Sequence, residues 1–301
     1  MMLCSPEQIN ERLAQAERLW LLLDYDGTLA DFAPTPEHVN PDPEVIDLLT
    51  RLTRHPRIRV AVISGRRLNH VETLVPVSGI LLAGTYGIEL RLLEGERINR
   101  VGYNAVRPVL DVIKPRWLDL IRERRGFFLE DKRWALALHA RFADDAEAEE
   151  VLDTARRMAT EAASSRQLFR LLGGHKFLEV GPRLAHKGQT VDYLLNRYGW
   201  SGALSLYVGD DDKDEEAFGV MKARGGIAIL VAAKPRKTKA DCRLESPQAV
   251  RHWLEMLLAH LGERRLQTNR RSLTRRQLIL AILTNTIRGA GNERTRDHQE
   301  I

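Results

Sequence analysis

The chain has 301 residues, 44% hydrophobic and 29% charged, the ordinary mix of a globular protein with a core large enough for one big domain or two modest ones. Its two cysteines, Cys4 and Cys242, stand far apart without metal-ligand spacing, which argues against a disulfide framework and fits a cytoplasmic setting. The formal charge of +5 sits at one end: from Arg264 onward nine arginines face three acids, a local +6 that leaves the rest at −1, so the basicity is no argument for nucleic-acid binding by the body.

In chain order, no basic segment leads into an apolar one at the start, so no signal peptide is expected. Short apolar runs then recur: "LWLLLD" (19–24), "IRVAVIS" (58–64), "GILLAG" (79–84), "LSLYVGD" (204–210) and "GIAILV" (226–231). Runs without alternation predict strands buried on both faces, as in a parallel sheet. Helical spacing separates them: Val45, Leu48, Leu49 and Leu52 share one face, as do Val191, Leu194, Leu195 and Tyr198 before the stop at Gly199. Strand and helix alternating in this way predict a doubly wound α/β core.

The middle of the chain reads as an α+β insertion of roughly 80 residues. It holds a helix over "AVRPVLDVIKPRWLDLIRER", alternating strands over "GFFLEDKRWALALHARF", a helix capped by Asp144 or Asp145, and a hairpin around Gly173-Gly174. In the alternating stretch Trp134, Leu136 and Leu138 fall on one side, and Ala135, Ala137 and His139 on the other. From about residue 263 the chain is polar and arginine-rich. Its longest apolar run, "LILAILT", is too short to span a bilayer.

Four groups carry chemistry. Asp24 and Asp26 follow the first strand, and residues two apart point the same way, toward the edge where open α/β sheets bind ligands. Gly27 permits a sharp turn and Thr28 adds a hydroxyl. In "VISGRR", Ser64 and Gly65 offer a hydroxyl and close backbone approach to an anion. Lys187 opens a helix and can neutralise developing charge. "YVGDDDKDEEAF" carries a strand into Asp210, Asp211, Asp212 and Asp214, a density of like charge that calls for a hard cation. No histidine or cysteine shows zinc spacing. His139, His175 and His186 read as structural or solvated, and Trp20 and Trp134 as packing.

"DYDGT", "SGR", the lysine and "GDDxxDE", in this order, resemble the four motifs of the haloacid dehalogenase superfamily. "LLLDYDGTLADF", "VISGR", "FFLEDKRWALALHAR" and "FLEVGP" together resemble the trehalose-6-phosphate phosphatase family over roughly residues 15 to 260. The resemblance implies a haloacid dehalogenase-like Rossmannoid core (1–103 and 184–262), an α+β cap of the C2 type (104–183) and a basic, partly helical tail (263–301). It implies a Mg2+-dependent phosphatase with Asp24 as nucleophile and Asp26 as general acid and base. Asp24, the Asp26 carbonyl and Asp210 would hold the metal with Asp214 in support, and Thr28, Ser64, Gly65 and Lys187 would hold phosphate. Glu130, Lys132 and Glu179 would contact the sugar in the cap.

The family often has "AGSHG" where this chain has "AGTYG", with Tyr86, and threonine where Lys213 stands. The expected substrate is trehalose 6-phosphate. The alternatives are a related phosphatase on another sugar phosphate (sucrose 6-phosphate, mannosyl-3-phosphoglycerate), or a non-catalytic sugar-phosphate sensor or subunit associated with a trehalose-6-phosphate synthase. No membrane or nucleic-acid partner is expected, and the basic tail is a candidate partner contact.

Overall fold

The computed structural model describes residues 6–31, 40–163, 168–174 and 176–262. The expected basic tail, 263–301, lies outside them. The chain divides into two compact units, one up to Trp253 and one from Leu254. Every site residue belongs to the first. No helix among the described residues is long and apolar enough to cross a membrane.

The apolar runs form the strands expected of them. After α1 (Pro6–Gln15) come β1 (Arg18–Leu23), α2 (Pro43–Arg54), β2 (Ile58–Ile63), α3 (Leu68–Leu74) and β3 (Leu81–Gly84). β4 (Glu89–Arg91) and β5 (Arg97–Asn99) complete that side. An α/β block follows: α4 (Tyr103–Ile121), β6 (Phe128–Asp131), β7 (Leu136–His139), α5 (Asp145–Ala163), β8 (Phe169–Gly174) and β9 (Phe177–Pro182). The chain then returns through α6 (Lys187–Arg197), β10 (Ala203–Gly209), α7 (Asp214–Ala223), β11 (Ile227–Val231) and β12 (Cys242–Leu244). A last helix, α8, covers residues 247–262.

Eight strands form one sheet in the order β12-β11-β10-β1-β2-β3-β4-β5. β1 pairs in parallel with both β10 and β2, and only β4 runs against the rest, antiparallel to both β3 and β5. The strands on one side of β1 precede the inserted block, and those on the other follow it. The winding therefore reverses between β1 and β10, which opens a crevice at their carboxyl ends. Leu19 to Leu23 and Val60 to Ile63 are buried throughout, as both-face burial requires.

The second sheet has four antiparallel strands in the order β6-β7-β9-β8. Period-2 alternation gives it two unlike faces. Trp134, Leu136, Leu138, Leu178 and Val180 pack with Val109, Leu110, Ile113 and Trp117 of α4 and with Val151, Ala155 and Ala159 of α5. The Trp117 indole N–H donates to the Ala155 carbonyl at 3.0 Å, which satisfies its one buried donor. Asp144 caps α5 by accepting from Ala146 N and Glu147 N, a contact worth about 1 kcal/mol. The other face is left for the site.

One local expectation shifts. The hairpin of the second sheet turns beyond Gly173-Gly174, since both glycines pair within the ladder and Gly174 stands opposite Phe177. His186 is the N-cap of α6, where its ring accepts from Gln189 N at 3.3 Å. His175 lies outside the described residues.

Candidate active site

Asp24 leaves β1 with its backbone N–H still bonded to Val208 O of β10, so the ladder fixes its position. Gly27 takes φ 75°, and the N–H groups of Leu29 and Ala30 turn back onto Tyr25 O. This tight loop buries Asp24 to 4% exposure. It also sets the Thr28 hydroxyl 3.3 Å from Asp24 Oδ2 and 3.2 Å from Asp210 Oδ1, so Thr28 spans two acids.

Lys187, at the start of α6, is buried among carboxylates. Its Nζ lies 2.9 Å from Asp24 Oδ1, 2.7 Å from Asp214 Oδ1 and 3.8 Å from Asp211 Oδ1. Burial alone would lower its pKa; Asp214 and Asp24 outweigh that and hold it well above the usual lysine value. Asp214 is fully buried. Its Oδ1 accepts from Lys187 and from the Tyr207 hydroxyl at 2.6 Å, and its Oδ2 from the N–H groups of Asp210 and Asp211, each at 3.0 Å. Four donors use all its acceptor capacity. A side chain at Gly209 would place Cβ 2.2 Å from Asp214 Cγ, so this approach requires glycine.

The three consecutive aspartates do three different things. Asp210 joins Asp24 and Asp214, with carboxylate oxygens all within 4.8 Å of one another. Asp211 accepts from Lys213 N and Asp214 N and so shapes the start of α7. Asp212 points outward to Arg236 at 2.8 Å. Burial pushes the Asp24 carboxyl up to about 8 and Asp210 up to about 6. For Asp24, Lys187 opposes the rise and Asp210 and Asp211 add to it; for Asp210, Asp214 adds to it. The cluster carries more negative charge than Lys187 can balance, and an all-carboxylate donor set suits a hard divalent cation.

Asp26 is held by Arg66. The Arg66 Nε lies 2.7 Å from Oδ2 and Nη2 lies 2.6 Å from Oδ1, a two-pronged pair that fixes the carboxylate plane. Arg66 follows Ser64 and Gly65 at the end of β2. Ser64 is buried, and its Oγ accepts from Arg66 N at 3.1 Å. Gly65 has a second reason to be glycine: a Cβ there would meet the Tyr86 ring at 2.7 Å. Thr85 and Tyr86 form a single 3-10 turn with φ of 48° and 53°, both left-handed. Bonds from Tyr86 N to Ser64 O, from Thr85 N to Arg66 O and from Thr190 Oγ1 to Tyr86 O hold that turn and aim the ring into the site.

The open face of the four-stranded sheet supplies the opposite wall. Strand register puts Phe128, His139 and Phe177 in one row and Glu130, Ala137 and Glu179 in the next. His139 stacks on Phe128 with ring centroids 4.3 Å apart, and its Nε2 lies 3.1 Å from Glu130 Oε2. Glu130 is held below its usual pKa: burial opposes this, and the His139 bond and Lys132 outweigh it. Glu179 is buried and bonds Lys132 at 2.7 Å; it does not line the cavity, whereas Lys132 does. Between the two walls lies a cavity of about 510 Å3, bounded by Asp24, Asp26, Lys187 and Asp210 on one side and Glu130, Lys132 and His139 on the other. That size suits a small-molecule ligand.

Arg66, Tyr207 and His139 are among the residues that sequence reading did not assign to the site. Arg66 carried a signal in "SGRR", but its partner is 40 residues away. The alternation of β7 placed His139 on the polar face, which was the available clue. Tyr207 lies in an apolar run and carried none.

A doubly wound sheet with acids at the carboxyl ends of β1 and β10 makes this an α/β protein, and its fold is similar to that of a haloacid dehalogenase-like hydrolase from Bacteroides thetaiotaomicron, 15% identical with a TM-score of 0.55 over 80% of this chain and 99% of the other. The model of the trehalose-phosphatase family matches residues 22–248, and the chain belongs to that family. A Mycobacterium avium trehalose-phosphate phosphatase is 34% identical over 250 residues, covering 80% of this chain and 62% of the relative. A Mycobacterium tuberculosis protein described as an uncharacterized glycosyl hydrolase is 32% identical over 84% of this chain, which spans only 19% of that relative's length. Among solved structures, Aspergillus fumigatus trehalose-6-phosphate phosphatase is 25% identical with a TM-score of 0.64, covering 85% of this chain and 98% of the other.

Proposed function

We propose that the chain is a Mg2+-dependent phosphatase that hydrolyses trehalose 6-phosphate to trehalose and phosphate. The observation that carries the chemistry is the buried contact of Asp24 with Lys187 beside Asp210, opposite a wall of sugar-compatible polar groups. The named relatives and the family support the substrate. Under this reading, 1–103 and 184–262 form the catalytic core and 104–183 a cap, and the enzyme works in the cytoplasm.

The donor set fits the metal. Asp214 has no acceptor capacity left, so Asp24 and Asp210 would hold Mg2+ directly and Asp214 would orient their neighbours. When bound, the ion draws electron density from the phosphoryl oxygens and offsets the charge of the acidic cluster.

The chain's own residues do the rest. An Asp24 carboxylate oxygen attacks phosphorus, the bond from phosphorus to the sugar oxygen breaks, and that oxygen takes a proton from Asp26. Water then attacks the aspartyl phosphate and gives its proton to Asp26, which releases phosphate and restores Asp24. Lys187 and Ser64 steady the transferring group, where positioning and charge do most of the work. Arg66 keeps Asp26 oriented at the mouth of the site until the carboxyl turns to the leaving oxygen. Glu130, set by His139, accepts from sugar hydroxyls, and Lys132, set by Glu179, donates to them.

Labelling tests the covalent step. Brief incubation with trehalose 6-phosphate carrying 32P should leave label on the wild-type protein, removable by hydroxylamine, and none on Asp24→Asn. Equal labelling of both would remove Asp24 from its role.

A further inference from the structure

The cavity has four lysines on its walls, and three of them are committed. Lys187 faces Asp24 and Asp214. Lys132 is paired with buried Glu179. Lys176 donates to Ala143 O and faces Asp145. Lys213 differs. Among the described residues its Nζ has one hydrogen-bond acceptor, Asp211 Oδ2 at 3.2 Å. An ammonium has three donors, so two remain for a ligand.

Its surroundings fix where those donors are. The Nζ lies 5.1 Å from the Phe177 ring centroid and 5.7 Å from that of Tyr86. Cation–π attraction to both rings seats the ammonium without using its N–H groups. Phe177 belongs to β9 of the four-stranded sheet, whereas Tyr86 and Asp211 belong to loops of the eight-stranded one. Lys213 therefore touches both walls, and the Tyr86 ring has a second cation, Lys132, 5.9 Å away. The turn that aims Tyr86 is left-handed at two non-glycine residues, so the ring's place is enforced by the surrounding bonds.

We infer that Lys213 is a specificity-determining residue of this site. Its two open donors bind oxygens of the sugar beside the phosphate ester, and its seat on Tyr86 and Phe177 ties that contact to the opposite wall. This rests on the reading of the site as a sugar-phosphate phosphatase.

The test uses Lys213→Met, which keeps the apolar stem and removes the charge, and Lys213→Arg, which keeps the charge. Steady-state constants for trehalose 6-phosphate and for p-nitrophenyl phosphate are compared, with Mg2+ titrations and thermal melts of each variant. The inference expects Lys213→Met to raise KM for trehalose 6-phosphate about tenfold or more, with a much smaller change in kcat. KM for the small ester should rise far less, and Lys213→Arg should recover most of the loss. Equal losses on both esters, unchanged KM values, or a change confined to the Mg2+ half-saturation point would overturn it. A wild-type protein that cleaves p-nitrophenyl phosphate but not trehalose 6-phosphate would overturn the substrate reading, and this inference with it.

Discussion

Asp24 is costly to bury and is kept by one lysine, one threonine and the backbone of β10. Replacing it with asparagine preserves shape and removes the proposed nucleophile, so Asp24→Asn should cut kcat by at least about 10³-fold, as losses of other nucleophiles do. Its melting temperature should not fall, because the swap relieves a desolvated charge. Residual turnover within tenfold of wild type would contradict the assignment. Arg66→Met leaves Asp26 present but unaligned, and general acid–base catalysis is worth roughly 10²–10⁴-fold. We expect kcat to drop by about 10–100-fold; an unchanged kcat would show that the pair does not position Asp26. Glu130→Ala should harm trehalose 6-phosphate hydrolysis far more than p-nitrophenyl phosphate hydrolysis. Equal losses would show that Glu130 does not read the sugar.

Among the elements, the hairpin from β6 to β7 is braced by Asp131. Its carboxylate takes two bonds from Arg107 at 2.8 Å each and one from Lys114 at 2.9 Å. The Arg107 bonds above all hold its pKa below the usual carboxylate range. A lowered folded pKa means the stabilisation is complete above the unfolded value of about 3.9 and lost as pH falls through the folded one. Asp131→Asn should therefore lower Tm at pH 7 by about 2–5 °C, a gap that narrows on acidification. Equal Tm values at pH 7 would show that the brace contributes nothing. The elements were legible in proportion to how much they bury. β1, β2, β10 and β11 are apolar on both faces and stood out as runs, and α2 announced itself through four buried residues at helical spacing. β4, β5 and β12 have three residues each, too short for any period to show. The acids after β1 and β10 could be placed because strand ends were clear. The bond from Arg66 to Asp26 and the separate roles of Asp210, Asp211 and Asp212 depend on register and loop geometry, which periodicity does not encode.

At the scale of the whole molecule, two sheets with different logic meet over one cavity. The eight-stranded sheet brings distant segments together at a single crevice and so assembles Asp24, Lys187, Asp210 and Asp214. The four-stranded sheet turns an apolar face to α4 and α5 and a polar, aromatic face to the cavity. Under the proposed function, that division assigns bond breaking to one wall and recognition to the other. Phosphate release from trehalose 6-phosphate, glucose 6-phosphate and sucrose 6-phosphate, each with Mg2+ and with a chelator, tests the division most directly. The account predicts rapid release from trehalose 6-phosphate, little from the other two, and loss of release on chelation. Comparable release from all three, or release that survives removal of the metal, would contradict it.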